Sequence, residues 1–178
     1  YMSNNNNNSV DKRANNDTMM SEIQAQIPNY KIGKMLGKGS FGKTYELFSN
    51  YSSKLIALKV VKFRTNHSMK VEQKKFLKEV AVGQLPNIRR FGVKIHEYGV
   101  SETYGWYVMD HFNYRNPYAH IMTLTKYFKK YPNDTTVYSM LETRLKEFYK
   151  HTQGYHGDLH TDNIVVLLSP KTKKLLNV

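Results

Sequence analysis

The stretch GKGSFGKT at residues 37–44 constrains the fold of this chain more than any other part of the sequence. It matches two phosphate-binding patterns, G-x-x-x-x-G-K-[ST] and G-x-G-x-x-G, which occur in unrelated architectures. Both patterns use glycine because a backbone without Cβ can turn tightly and bring its N–H groups close to an anion. In the first pattern a helix follows the loop at once, whereas the second can lie between strands. The flanking residues must therefore decide between them.

The flanking sequence predicts strands on both sides of this loop. Residues 30–36 alternate in polarity, residues 44–48 are the β-prone TYELF, and the apolar run LIALKVVKF follows at 55–63 after a polar turn. The first pattern requires a helix whose N-terminus holds the phosphate directly after Lys43. The β-prone residues found there favour the second pattern, a flap between two strands.

Beyond residue 63 the pattern is mixed. A helix is predicted at 69–83, where Gly83 and Pro86 can end it, and strand-like runs follow at 91–100 and 104–112. A second clear helix is predicted at 135–151. The order of three strands, a helix, two strands and then helices indicates an α+β fold.

The N-terminal part differs in composition from the rest of the chain. It contains YMSNNNNNSV and ANNDT, which are polar and of low complexity. Such segments have too little apolar surface to offset the entropy lost on ordering. We therefore predict a disordered tail over residues 1–28.

Composition restricts the class of protein. With 178 residues and 40% hydrophobic content the chain can form one folded core, and it lacks the roughly 18 consecutive apolar residues of a membrane helix. Lacking a secretory signal as well, it is expected to be intracellular and cytoplasmic, with no membrane partner. Its net charge of +13 comes from lysines scattered over predicted helices and turns, so solvated faces are favoured over a nucleic-acid partner. Disulfides are excluded because there is no Cys.

One charged residue interrupts the third predicted strand. Lys59 lies in ALKV, between apolar neighbours, and is either an outward-facing residue or a buried cation that needs an anion. Because it follows the glycine-rich loop by one strand, it is well placed to hold the phosphates of a nucleotide. Helix 69–83 offers two carboxylates to orient it, Glu72 and Glu79, of which Glu79 is the preferred partner.

A polar string, HGDLHTDN, lies between the last predicted helix and the apolar run IVVLL. An Asp such as Asp158 can accept the proton of an attacking hydroxyl, and Asn163, five residues later, can coordinate magnesium. His156 and His160 are four residues apart, as in a zinc helix, but Gly157 disfavours a helix and HGDLH lacks the Glu of H-E-x-x-H. We therefore prefer the interpretation of Asp158 as a proton acceptor and Asn163 as a magnesium ligand to zinc binding by the two histidines.

Together, LGKGSFGKT, ALKV, YVMDHF and HGDLHTDN make residues 30–178 resemble the eukaryotic-type protein kinase superfamily, and loosely its casein kinase 1 and vaccinia-related kinase branch. The resemblance implies an N-terminal lobe at 29–112, with a five-stranded antiparallel sheet and the family's helix αC. It further implies a partial, mainly helical C-terminal lobe at 113–178. The implied activity is ATP-dependent phosphorylation of Ser or Thr hydroxyls in a protein substrate, which could be acidic.

The resemblance also implies roles for individual residues, with ATP and Mg²⁺ as cofactors. Lys59 and Glu79 would form the activating ion pair, Asp158 would be the catalytic base, His160 would lie near the γ-phosphate, and Asn163 would bind magnesium. The residues implied to border the nucleotide are Leu36, Gly37, Lys38, Gly39, Ser40, Phe41, Gly42, Lys43, Thr44, Ala57, Met109, Asp110 and Phe112.

Besides the protein kinase interpretation, two others stay open at this point. HGDLH, with His160, is also the form found in small-molecule kinases of the aminoglycoside or choline type. The sequence ends about where the family's D-F-G motif should begin, so the 178-residue chain itself is expected to bind nucleotide weakly and not to turn over. A pseudokinase or nucleotide-binding module is the third reading, and the sequence leaves the oligomeric state undefined.

Overall fold

The computed structural model describes residues 7–39, 42–53, 56–64, 69–111, 119–153 and 159–177. Ser40, Phe41, Phe112 and Asp158, each predicted to be a site residue, lie outside these ranges. The helices are α1 (Asn7–Gln26), α2 (Met69–Gln84), α3 (Leu124–Lys130) and α4 (Thr136–Thr152), and a 3₁₀ turn covers Ile88–Arg90. The strands are β1 (Tyr30–Gly39), β2 (Gly42–Ser49), β3 (Ile56–Lys62), β4 (Ile95–Val100), β5 (Tyr104–Asp110), β6 (His120–Thr123), β7 (Val165–Leu168) and β8 (Leu175–Asn177).

Five strands form one antiparallel sheet in the order β1-β2-β3-β5-β4. Helix α2 packs on this sheet through Phe76 and Val80, which form a buried cluster with Ile95 and Tyr107. The α+β fold, with its five-stranded antiparallel sheet and helix α2 between the third and fourth strands, is confirmed.

Helix α1 corrects the sequence-based prediction of disorder, because residues 7–26 of the predicted tail are helical. Met19, Ile23 and the following Ile27 are spaced by four residues and are buried in one cluster with β3 and β5. Gln24 fixes the helix to β1, donating to the carbonyl oxygen of Tyr30 at 2.7 Å and accepting from the N–H of Ile32 at 3.1 Å. The prediction failed because the Asn-rich composition masked the apolar repeat in MMSEIQAQI.

The sheet thus has two covered faces, which draw on alternate residues of the same strands. Leu58 and Val60 of β3, with Trp106 and Val108 of β5, belong to the cluster under α1. The residues between them, among them Tyr107, face α2.

A smaller antiparallel sheet, in the order β6-β7-β8, follows the first. Its core contains Leu124, Tyr127, Val137, Val166 and Leu168, all buried. After HGDLHTDN, β7 and β8 pair as antiparallel strands.

Helix α4 touches the segment that joins α2 to β4. The rings of Phe91 and Phe148 lie 6.1 Å apart, edge to face, and a ring nitrogen of His151 contacts the carbonyl oxygen of Pro86. Within the described part of the chain, no helix has the length and apolar character to cross a bilayer. The predicted domain boundary near residue 112 falls in the segment 112–118, outside the described residues.

Candidate functional site

The glycine-rich stretch forms a hairpin between β1 and β2. Strand pairing continues to Gly39 opposite Gly42, and β2 runs on through Lys43 as a strand, as the flap interpretation predicted. Gly42 has φ of +151°, and a Cβ at this position would lie 2.2 Å from the carbonyl oxygen of Val60. A side chain at position 42 is therefore excluded by backbone that cannot move aside.

The other two glycines of the hairpin differ from Gly42. A Cβ built on Gly37 or Gly39 meets no atom of the described residues within 4 Å. Internal packing in the described chain therefore does not explain glycine at either position, whereas close approach of a ligand to the backbone would.

Lys59 is held next to this hairpin by sheet register. It pairs with Thr44 of β2, and Thr44 in turn pairs with Gly37 of β1. Strand β3 thus places Lys59 in the same short section of the sheet as the glycines. The Lys59 side chain is 23% exposed, so its ammonium is partly shielded from water.

The predicted ion pair is present. Lys59 Nζ lies 2.9 Å from Glu79 Oε1, and the same oxygen accepts a 2.6 Å hydrogen bond from the hydroxyl of Tyr107. Glu72, the alternative partner, instead contacts Arg64 at 3.1 Å and accepts from its backbone N–H. Glu72 lies two helical turns before Glu79, next to Arg64 and past the C-terminal end of β3, so that Glu79 and not Glu72 reaches Lys59.

Tyr107 was not predicted as a site residue. It is the direct cross-strand partner of Lys59, and the Lys59 ammonium lies 5.5 Å from the centre of its ring. Burial, followed by the charge of Glu79 and the hydrogen bond to it, raises the pKa of Tyr107 well above its ordinary value, so that it remains a donor at neutral pH. Strand alternation could have placed it on the side of the nucleotide, since it is two residues from Met109, which was predicted to border the nucleotide.

Three residues predicted to border the nucleotide, Ala57, Met109 and Asp110, lie together in β3 and β5. Ala57 is buried and pairs with Met109, and Asp110 follows at the end of β5. The N–H of Asp110 donates to the carbonyl oxygen of Lys94 at 2.9 Å.

The Asp110 carboxylate is fixed by two cationic or potentially cationic side chains. Arg89 donates to both oxygens, at 2.6 and 3.0 Å, and His96 Nε2 lies 2.8 Å from Oδ1. The Arg89 hydrogen bond is the main cause that lowers the pKa of Asp110 to about 2, against the effect of burial and with help from His96. This network joins the 3₁₀ turn and β4 to the end of β5.

The remaining predicted residues of the hairpin line its two strands. Leu36 and Lys38 are exposed on β1, and Lys43 and Thr44 are half-buried on β2. Lys43 pairs with both Lys38 and Val60, so two lysines stand opposite each other near the turn.

The predicted catalytic loop is described only from Leu159 onward. The N–H of Asn163 donates to the carbonyl oxygen of His160 at 2.9 Å, and His160 Nδ1 accepts from the N–H of Asp162 at 3.2 Å. The Thr161 backbone and hydroxyl contact Thr125, which ties the loop to α3. His160 and Asn163 are both exposed. Among the described residues, no group of three His, Asp or Glu could hold a metal ion.

Comparison with known proteins gives weak similarity to a protein kinase. No protein-family model matches the chain. It is 25% identical over 152 residues to the CBL-interacting protein kinase 30 of Oryza sativa subsp. japonica, a match covering 84% of this chain and 30% of that kinase. The chain thus spans about a third of the length of this relative. A distant relationship to protein kinases is what the similarity indicates.

Proposed function

We propose that this chain is the nucleotide-binding part of an ATP-dependent protein kinase that phosphorylates Ser or Thr hydroxyls. The observation that carries the proposal is Lys59, an oriented and partly shielded cation, held by Glu79 beside a glycine hairpin in which Gly37 and Gly39 face no described atom within 4 Å of a built Cβ. Such a cation can neutralise the α- and β-phosphates while backbone N–H groups of the hairpin approach them. The distant similarity to a kinase supports the same reading.

Each residue has a role in this proposal. Ala57 and Met109 would border the adenine, Lys59 would bind phosphate, and Asp158 would take the proton of the acceptor hydroxyl. A bound magnesium ion would neutralise phosphate charge, and Asn163 would give it one amide oxygen. His160 would add a contact at the terminal phosphate.

The binding test compares matched variants on the same strand and the same helix. Lys59→Met should weaken binding of Mg-ATP about tenfold or more, because it removes a charge-assisted contact to phosphate. Lys62→Met, three residues further along β3 and exposed, should change the affinity less than about twofold. Isothermal titration or a fluorescent ATP analogue measures both. Equal affinities in the two variants would reject the proposal.

The carboxylate is tested in the same way. Glu79→Gln should weaken ATP binding, whereas Glu72→Gln should not, since Glu72 pairs with Arg64 and does not contact Lys59. A loss in Glu72→Gln equal to that in Glu79→Gln would point to a general effect on helix α2.

The class of acceptor is the second question, because HGDLH also occurs in small-molecule kinases. Because the 178 residues alone are not expected to turn over, phosphotransfer from radiolabelled ATP is measured with the full-length protein, using casein or histone and, in parallel, aminoglycoside or choline acceptors. Label in the proteins supports the proposed function. Label only in the small molecules would replace it with the small-molecule alternative.

A further inference from the structure

A single carboxylate oxygen in the site has two donors. Glu79 Oε1 accepts from Lys59 Nζ at 2.9 Å and from the Tyr107 hydroxyl at 2.6 Å. An ion pair of this kind is complete with lysine and carboxylate alone. The phenol is therefore an additional constraint on the carboxylate.

The phenol itself is held rigidly. Tyr107 is 3% exposed, its backbone is paired with Lys59, and its ring stacks on Phe76 of α2 at 5.8 Å. A buried hydroxyl loses much by having no acceptor, so Tyr107 opposes any movement of Glu79 away from the sheet. The Glu79 side chain, by contrast, is 41% exposed and would otherwise have water as a competing partner.

We propose that Tyr107 is a positioning residue that keeps the Glu79 carboxylate directed at Lys59, so that the ammonium is presented to phosphate before nucleotide arrives. This inference rests on the proposed function. A lysine that is already oriented loses less side-chain entropy on binding, and the gain appears as affinity for the phosphate part of the ligand.

A plain packing role must be separated from this one. A buried tyrosine commonly finds some acceptor for its hydroxyl, and Tyr104 on the same strand does so with Glu22 of α1 at 2.8 Å. Tyr104 points to the opposite face, away from Lys59, and offers a matched control. The variants Tyr107→Phe and Tyr104→Phe each remove a hydroxyl and keep the ring. The stacking of residue 107 on Phe76 is therefore preserved.

The experiment measures the affinities of each variant for ATP and for adenosine, at a temperature where thermal unfolding shows that all variants are folded. Tyr107→Phe should lower ATP affinity about fivefold and change adenosine affinity less than twofold, since only the phosphates meet Lys59. Tyr104→Phe should change neither. In a Glu79→Gln background, Tyr107→Phe should cause no further loss of ATP affinity, because the positioned carboxylate is already gone.

Other outcomes would overturn the inference. Equal losses for ATP and adenosine would show that Tyr107 serves only to pack the sheet. A full additional loss in the Glu79→Gln background would show that it does not act through Glu79. If Lys59→Met weakens ATP binding and Tyr107→Phe does not, the inference about Tyr107 fails while the proposed function stands. If Lys59→Met has no effect, both fail.

Discussion

The two faces of the five-stranded sheet are built from adjacent residues of the same strands, yet they differ in chemistry. The face under α1 is apolar, with Leu58 of β3 and Val108 of β5 fully buried beneath Ile23. The face toward α2 carries the ion pair of Lys59 and Glu79. Leu58 and Lys59 are neighbours in sequence and lie on opposite sides.

This difference shows how a small sheet can separate stability from chemistry. Successive side chains of a strand point to opposite faces. One strand register therefore places every second residue in the apolar core under α1 and the residues between them on the α2 face. A partly buried charge is costly in an apolar cluster, but Lys59 is tolerated on the α2 face because it pairs with Glu79, whose carboxylate also accepts from Tyr107. The comparison predicts that neighbouring substitutions have separable effects.

The largest effect is expected at Leu58, which tests the α1 face. Leu58→Ala should lower the free energy of unfolding by about 2–5 kcal/mol, because it removes a fully buried side chain and leaves a cavity. Chemical denaturation measures this loss. The ATP affinity of the folded fraction should change less than about twofold. A variant that kept its stability but lost ATP binding would break the separation of the two faces.

Two glycines allow a sharper comparison. A Cβ at Gly99 would lie 2.5 Å from the Trp106 indole on the α1 face, and a Cβ at Gly105 would lie 2.6 Å from the Phe76 ring on the α2 face. Gly99→Ala and Gly105→Ala should each cost about 1–3 kcal/mol of stability through overpacking.

Only one of this pair should alter ligand binding. Gly105→Ala displaces Phe76, against which Tyr107 stacks, and should therefore also weaken ATP binding. Gly99→Ala displaces Trp106, which donates to Gln26 of α1, and should leave ATP affinity unchanged. Equal effects on ATP affinity, measured by titration of both purified variants, would contradict the assignment of the faces.

The smallest effect is expected at Asp110, the last residue of β5, and it concerns the pH dependence of stability. Because the folded pKa of this carboxyl is lowered to about 2 from its ordinary value of 3.8, it stabilises the fold above about pH 4, and this contribution is lost as the pH falls to about 2. Solvent screening should keep the contribution below about 1 kcal/mol.

Asp110→Asn should remove this pH dependence. The difference in unfolding free energy between the parent chain and the variant should be largest above pH 4 and should shrink toward pH 2, as followed by denaturation at several pH values. His96→Ala is a useful companion, since Arg89 remains to hold the carboxylate and most of the dependence should persist. A constant difference across this range would show that Arg89 does not stabilise the carboxylate.

Part of the site could be predicted from sequence because its signals are local. The hairpin follows from glycine spacing and β-prone neighbours, and the choice of Glu79 over Glu72 follows from where a helix meets a sheet. Tyr107 could not be identified in this way, because its role depends on a cross-strand partner 48 positions away and on a carboxylate from a third element. Helix α1 was missed because its apolar repeat is short and because its apolar residues are buried only against a sheet that later residues form.

The sequence by itself determined the order of the elements from β1 to β5, the hairpin at residues 37–44 and the identity of the charged residues, since these depend on local backbone preference and on periodicity. Only the tertiary structure decided that α1 covers one face of the sheet and that Tyr107 shares the Glu79 oxygen with Lys59. Such contacts join residues that are distant along the chain. They are formed only when strand register and helix packing bring those residues to the same place.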